Sequence, residues 1–271
     1  MREHTQIYRC FALMRPDGGW GRWLFAPDRE ATRQHLLLKA QGDILFESVQ
    51  QFPAPSGMAG WLKWNEASSQ YRGEAALPHL APLYFDIDCA DGLPDALRLT
   101  YALHEFFTGE LEVDSHHIRV WFSGSKGAHL LVHPDALGIT PSPTLTMDMK
   151  PIALGLCDRL AREYGVPELS ADDRVYSLPR MLRCENQLNP KSGLYKVRLT
   201  PEELAAGDLA HIKTLASSPR ILAEANGCGF HISDKARTWW REAVREAHRP
   251  QEFRKQTARI TGATIRPDGF A

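Results

Sequence analysis

The sequence predicts an α+β protein whose strands form a mixed sheet with helices on its flanks. Three observations lead there. Residues 83–88 alternate, with Leu83, Phe85 and Ile87 on one face and Tyr84, Asp86 and Asp88 on the other, the period of a half-buried strand. Two further β-rich runs, residues 117–122 and 128–133, are separated by a glycine-bearing turn that suits a hairpin. Residues 91–109 and 146–165 carry apolar side chains at helical spacing. A chain of 271 residues holds one large domain or two small ones, with ample core.

Taken in order, residues 21–26 and 44–52 read as strands, and 29–40 as a helix that Pro27 and Asp28 start. Trp61 and Trp64 bracket a further short strand. The first 80 residues carry no obvious chemistry and read as the flank of the sheet. Asp91, Gly92 and Pro94 open the helix through 109, and Leu97, Leu99, Leu103, Phe106 and Phe107 form its apolar stripe. In the helix 146–165, Pro151 is tolerable only near the first turn or at a kink. A loop spans 166–177. Residues 194–199 alternate again, with Tyr195, Val197 and Leu199 inward and Lys196 and Arg198 on the opposite, outward face. Pro201 starts a short helix, and two more cover 208–216 and 233–247, the last with Trp239 and Trp240. From His248 the chain holds Arg249, Arg254, Lys255, Arg259 and Arg266 with little apolar content, the composition of a solvated tail or linker.

The formal net charge is −1, so any nucleic-acid surface must be a local patch. No stretch approaches the length of a membrane span, and the expected location is cytoplasmic, with no membrane partner. Five cysteines (Cys10, Cys89, Cys157, Cys184 and Cys228) include no Cys-x-x-Cys pair, and Cys228 with His231 lacks a second pair at zinc spacing. Reduced thiols in a reducing compartment fit this pattern.

Three constellations carry chemistry. Asp86 and Asp88 stand i, i+2 on a strand and so point the same way. Two adjacent carboxylates at low dielectric repel each other by energies on the order of several kcal/mol. A divalent cation removes that cost. Mg²⁺ or Mn²⁺ suits the site, because hard ions take carboxylate oxygens and keep waters for a substrate phosphate. Alone, the pair reads equally as a solvated strand end. The second constellation runs Ser123-Gly124-Ser125-Lys126-Gly127-Ala128-His129. Its glycines allow a tight turn with exposed N–H groups, able to cradle phosphate oxygens beside the Lys126 charge and the Ser123 hydroxyl. His129 shares a face with Leu131 and His133. The turn is no Walker A motif, since it lacks that length and the trailing Ser or Thr. The third comprises Asp172 and Asp173, then Arg180 and Arg183, then Asn189-Pro190-Lys191-Ser192-Gly193. Alone it is a charged surface loop.

The order of the three resembles the archaeo-eukaryotic primase superfamily, the catalytic small subunits of replicative primases and the primase-polymerases. The family's acid pair is matched by Asp86 and Asp88, and its Ser-Gly-x-(Lys/Arg)-Gly-x-His turn by Ser123 to His129. Its late Asp, basic residue and Lys-Ser/Thr-Gly turn are matched by Asp172, Arg183 and Lys191 to Gly193, with Asp173 as the rival third acid. A histidine is common in the family where this chain has Asn189, which donates a hydrogen bond but carries no charge. Many members carry a zinc-binding insertion between the second and third motifs; only Cys157 lies there, so no structural zinc is expected. The resemblance covers residues 80–200.

The resemblance implies an RRM-like palm in a catalytic domain over 1–200, divided into a flank (1–80) and the motif-bearing palm (81–200). A helical extension over 201–247 would pack as a cap, ahead of the basic tail at 248–271. It implies DNA primase or primase-polymerase activity. Asp86, Asp88 and Asp172 would hold two Mg²⁺ or Mn²⁺ ions, and Ser123, Lys126, His129, Arg183, Asn189 and Lys191 would bind an NTP or dNTP. Arg180, Lys196 and Arg198 would contact phosphates. The partners would be a single-stranded DNA template and a replicative helicase, in a mobile-element setting. Two other readings stay open: a metal-dependent phosphodiesterase, and a degenerate fold that only binds DNA or nucleotide.

Overall fold

The computed structural model describes residues 5–21, 24–40, 42–55, 78–89, 92–166, 169–177, 180–222 and 232–249. The strand expected at Trp61 and Trp64, the Cys228 and His231 neighbours and the tail beyond 249 lie outside these residues.

In chain order the strands are β1 (Thr5–Met14), β2 (Leu24–Ala26), β3 (Ile44–Pro55), β4 (Leu83–Cys89), β5 (Ile118–Phe122), β6 (Gly127–Val132), β7 (Leu169–Ala171), β8 (Met181–Arg183) and β9 (Val197–Leu199). The helices are α1 (Arg29–Lys39), α2 (Leu93–Glu105), α3 (Pro134–Leu137), α4 (Leu145–Glu163), α5 (Pro201–Ala206), α6 (Leu209–Leu215) and α7 (Asp234–Ala247). The α+β class is thus observed.

The strands divide between two sheets, ordered β2-β1-β3-β8 and β7-β4-β6-β5-β9, and the pairings within both are antiparallel. In the second sheet the chain runs β4-α2-β5-β6-α4-β7, with β4 and β6 central and β7 and β5 outside them. That is the βαββαβ arrangement of an RRM-like palm, to which β9 adds an edge strand.

Alternation along the central strands decides which face is buried. Leu83, Phe85 and Ile87 of β4, and Ala128, Leu130 and Val132 of β6, are almost fully buried in one core with Leu99 and Leu103 of α2 and Met149 and Leu160 of α4. Each such side chain contributes roughly 1.5–3 kcal/mol. Pro151 is the seventh residue of α4, and the helix continues through it. Its missing donor falls to the carbonyl of Met147, a residue 73% exposed, so water reaches that turn.

Helix α2 ends in a π-turn, Phe106–Glu110, and the rings of Phe106 and Phe107 meet Trp239 edge-on at 5.5 and 5.8 Å. Helix α7 therefore joins the helical layer behind the palm, beside α3 and α4. The opposite palm face looks toward the first sheet. A cleft of about 900 Å³ opens between the two sheets, lined by Arg9, Glu47 and Val49 on one side and Tyr84, Arg119 and Trp121 on the other.

Candidate active site

The palm's registry builds the site. Asp86 pairs with His129, His129 with Trp121, and Trp121 with Arg198, so four strands contribute one row across the sheet. On the other side of β4, Ile87 pairs with Ala171, and the N–H of Asp172 donates to the carbonyl of Asp86 at 3.1 Å. Asp172 is thereby held opposite Asp86, at the far end of the same row. One pleat further, Asp88 pairs with Gly127.

Each carboxylate meets a base. Nε2 of His129 lies 3.2 Å from Oδ1 of Asp86, and Nζ of Lys126 lies 3.5 Å from Oδ2 of Asp88. Asp172 receives Nε of Arg174 at 2.9 Å on Oδ1 and NH2 of Arg180 at 2.9 Å on Oδ2. Burial alone would raise the Asp86 pKa. His129 beside it, with Arg180 and Lys196 nearby, more than offsets this and holds it below the ordinary carboxylate value. Burial likewise acts upward on Asp172, and its hydrogen bonds from Arg174 carry it down. The His129 pKa is lowered by burial and by the Lys196 charge, which keeps the ring neutral at pH 7.

The glycine-bearing turn closes the β5–β6 hairpin. Gly124 has φ +86°, and a Cβ there would also lie 3.0 Å from the carbonyl of Leu194. Ser123 Oγ accepts from the N–H of Gly127 at 3.3 Å. The third constellation packs onto this turn. Arg183 donates to the carbonyl of Ser123, and Ser192 Oγ to that of Gly124. Asn189 Oδ1 accepts from the N–H of Lys191 at 3.1 Å, and the Lys191 side chain stays exposed. The side chain of Asp173 lies outside the described residues.

The structure thus gathers Asp86, Asp88, Lys126 and His129, sets Asp172 opposite Asp86, and brings Ser123, Arg183, Asn189 and Lys191 to the hairpin side. Among the described residues, no three His, Cys, Asp or Glu side chains converge closely enough to hold a metal ion. The donor chemistry of Asp86 and Asp88 fits a hard cation in the space Lys126 and His129 now border. Both Asp172 oxygens are taken up by arginines.

Lys196 is the residue that sequence reasoning misjudged. It occupies the face opposite the core, but the first sheet covers that face, and Lys196 is only 4% exposed. Its ammonium sits 5.1 Å from the Trp121 ring centroid and donates to the carbonyl of Arg183 at 3.0 Å. Burial pushes its pKa down to about 8.

Tyr84 went unremarked in the sequence. Its hydroxyl is buried with no hydrogen-bond partner, as are Nδ1 of His129, Nε of Arg180 and Nε of Arg183. The phenol interacts electrostatically with Asp86, Arg180 and Arg183, so these groups surround one region at the cleft's edge. A hydroxyl on an alternating strand reads as an ordinary core tyrosine, and no sequence signal marks it otherwise.

No family model matches the chain, and no curated protein matches it. Among solved structures it is similar to the polymerase domain of Mycobacterium tuberculosis Ligase D in complex with DNA, at 15% identity and TM-score 0.48, over 76% of this chain and 80% of that one. No residue role is taken from that likeness.

Proposed function

We propose that the chain is a metal-dependent nucleotidyltransferase of the primase-polymerase kind, joining NTPs or dNTPs to a 3′-hydroxyl on a single-stranded DNA template. The observation that carries this reading is the palm row in which Asp172, Asp86 and His129 stand on adjacent strands, with Asp88 one pleat away against Gly127 and Lys126. Buried polar atoms without partners around Asp86 support it, since a satisfied core would leave none there.

Asp86 and Asp88 would hold the metal, with Asp172 joining from the opposing strand. When bound, divalent Mg²⁺ or Mn²⁺ would activate the attacking hydroxyl and neutralise the leaving pyrophosphate. Ser123, Lys126 and the hairpin N–H groups would hold the incoming triphosphate, with Arg183, Asn189 and Lys191 behind them. His129, neutral and anchored on Asp86, would orient that carboxylate. The 3′-oxygen–Pα bond forms as the bond to the bridging oxygen breaks; the hydroxyl proton passes to solvent and pyrophosphate departs on the hairpin side. Positioning and charge neutralisation suffice, so no side-chain nucleophile is needed.

The test is extension of an annealed primer with Mn²⁺ or Mg²⁺. Asp88→Asn should lower the rate by roughly 10³-fold. Its thermal midpoint should hardly move, because the carboxylate is 42% exposed and makes one ion pair at 3.5 Å. A near-normal rate would remove Asp88 from the chemistry. Shortening of the strand without nucleotides would mark a phosphodiesterase instead.

A further inference from the structure

The cleft between the sheets is not used by that chemistry. Its lining reaches Tyr84, Trp121 and Arg183 but none of Asp86, Asp88 and Asp172. It contains seven arginine and lysine side chains against four carboxylates, an excess of three positive charges in a chain whose total is −1. The surface outside the cleft is therefore net negative by four, and the cleft is where the chain concentrates its attraction for anions.

The charges crowd. Glu47 is buried and receives both Arg9, at 3.0 Å, and Arg29, at 2.6 Å. One carboxylate serves two guanidiniums, and Arg119 approaches Arg9 from the palm. Burial lowers the Arg9 pKa to about 10, and the neighbouring Arg29 and Arg119 charges act in the same direction against Glu47. Nε of Arg33, on the adjoining helix, is buried without a hydrogen-bond partner. The volume, about 900 Å³, lies within the range that holds one small ligand.

Position along the strands identifies the ligand. The hairpin row holds Asp88 and Gly127, the next Asp86 and His129, and the next Tyr84, Leu131 and Arg119. Successive same-face rows are about 7 Å apart. In-line displacement requires the attacking oxygen to approach opposite the leaving group. With pyrophosphate leaving at the hairpin, the acceptor nucleotide enters from the Tyr84 side. Its 5′ end then points into the cleft, toward Arg119 and Arg9.

We infer that the cleft binds the 5′-triphosphate of the nucleotide that supplies the 3′-hydroxyl, so that the chain begins strands from two free nucleotides and anchors the first through Arg9, Arg33 and Arg119. This rests on the nucleotidyl-transfer reading above. Glu47 holds the arginine fan in place, and the cleft is complete without a second protein.

Two measurements test it on the full chain. In the first, inorganic tripolyphosphate is titrated calorimetrically in EDTA, where Asp86 and Asp88 repel it and the cleft must hold it. Binding should weaken about tenfold or more in Arg119→Gln and in Arg33→Gln, with thermal midpoints read for both variants. In the second, adenosine, AMP and ATP compete as acceptors for one labelled dideoxynucleotide on a single-stranded template. ATP should have a KM about tenfold or more below that of adenosine. Both variants should lose that preference yet extend a long annealed primer normally, because its 5′ end lies beyond the cleft. Absence of tripolyphosphate binding overturns the inference, as does a preference for ATP that survives in both variants. A wild-type chain that extends the annealed primer but ignores the acceptor's phosphates overturns this inference alone. One that extends neither overturns the reading beneath it.

Discussion

A Cβ on Gly127 would lie 2.1 Å from Oδ1 of Asp88 and 2.5 Å from the carbonyl oxygen of Ile87. The carboxylate could rotate away, but the Ile87 carbonyl belongs to the strand that β6 pairs with and cannot. Gly127→Ala should therefore cost roughly 1–3 kcal/mol and shift Asp88 away from Lys126. Denaturant melts check the first effect, and primer extension should fall with the second. The sequence marked this glycine for turn freedom. Only Gly124 needs that freedom, with φ +86°; Gly127 is required for space against a strand the sequence does not show to be adjacent. The acid pair was legible because period two fixes which side chains share a face. The grip of Arg174 and Arg180 on Asp172 was not, because it depends on how the segment after β7 folds back.

At the scale of elements, strands with unbroken alternation and helices with capping signals were readable. Asp28, Ser233 and Thr200 each cap the helix expected there. Strand β1 escaped because a register shift between Arg9 and Phe11 breaks its period, leaving Cys10 and Phe11, neighbours in sequence, both buried. Helix α5 is an element whose stability is tied to pH. Thr200 and Glu203 form a capping box, and Arg220 donates to Oε2 of Glu203 at 2.7 Å. Partial burial raises the Glu203 pKa, but the Arg220 hydrogen bond and the Thr200 N–H outweigh it and leave it below the model value of 4.5. A depressed carboxylate adds stability above its unfolded pKa and loses it as pH falls through its folded one. Glu203→Gln should thus cost about 1 kcal/mol at pH 7. The gap to wild type should close once pH drops below the range where Glu203 titrates. Urea melts at pH 7 and pH 3 measure both limbs.

Across the whole molecule the palm sheet separates two jobs. One face, with Leu83, Phe85 and Ile87, is sealed by helices; the other, with Tyr84, Asp86 and Asp88, looks onto the cleft and the site. The expected helical cap lies on the sealed side, because Trp239 and Trp240 bring α7 to α4 and the end of α2. This division was hidden in the sequence, where Lys196 and Arg198 read as solvent-facing. An alternating strand names two faces without saying that a second sheet covers the polar one. The separation makes a sharp prediction. Trp239 contacts Phe106 and Phe107 and no residue lining the cleft is among its ring partners. Trp239→Ala should cost about 2 kcal/mol or more through lost aromatic packing and lower the thermal midpoint by several degrees. Well below that midpoint, its KM for nucleotide and for template should match wild type, since the helical layer supports the strands without touching the cleft. A several-fold rise in either KM, measured where the variant is fully folded, would mean that the helical layer positions the catalytic row as well as stabilising it.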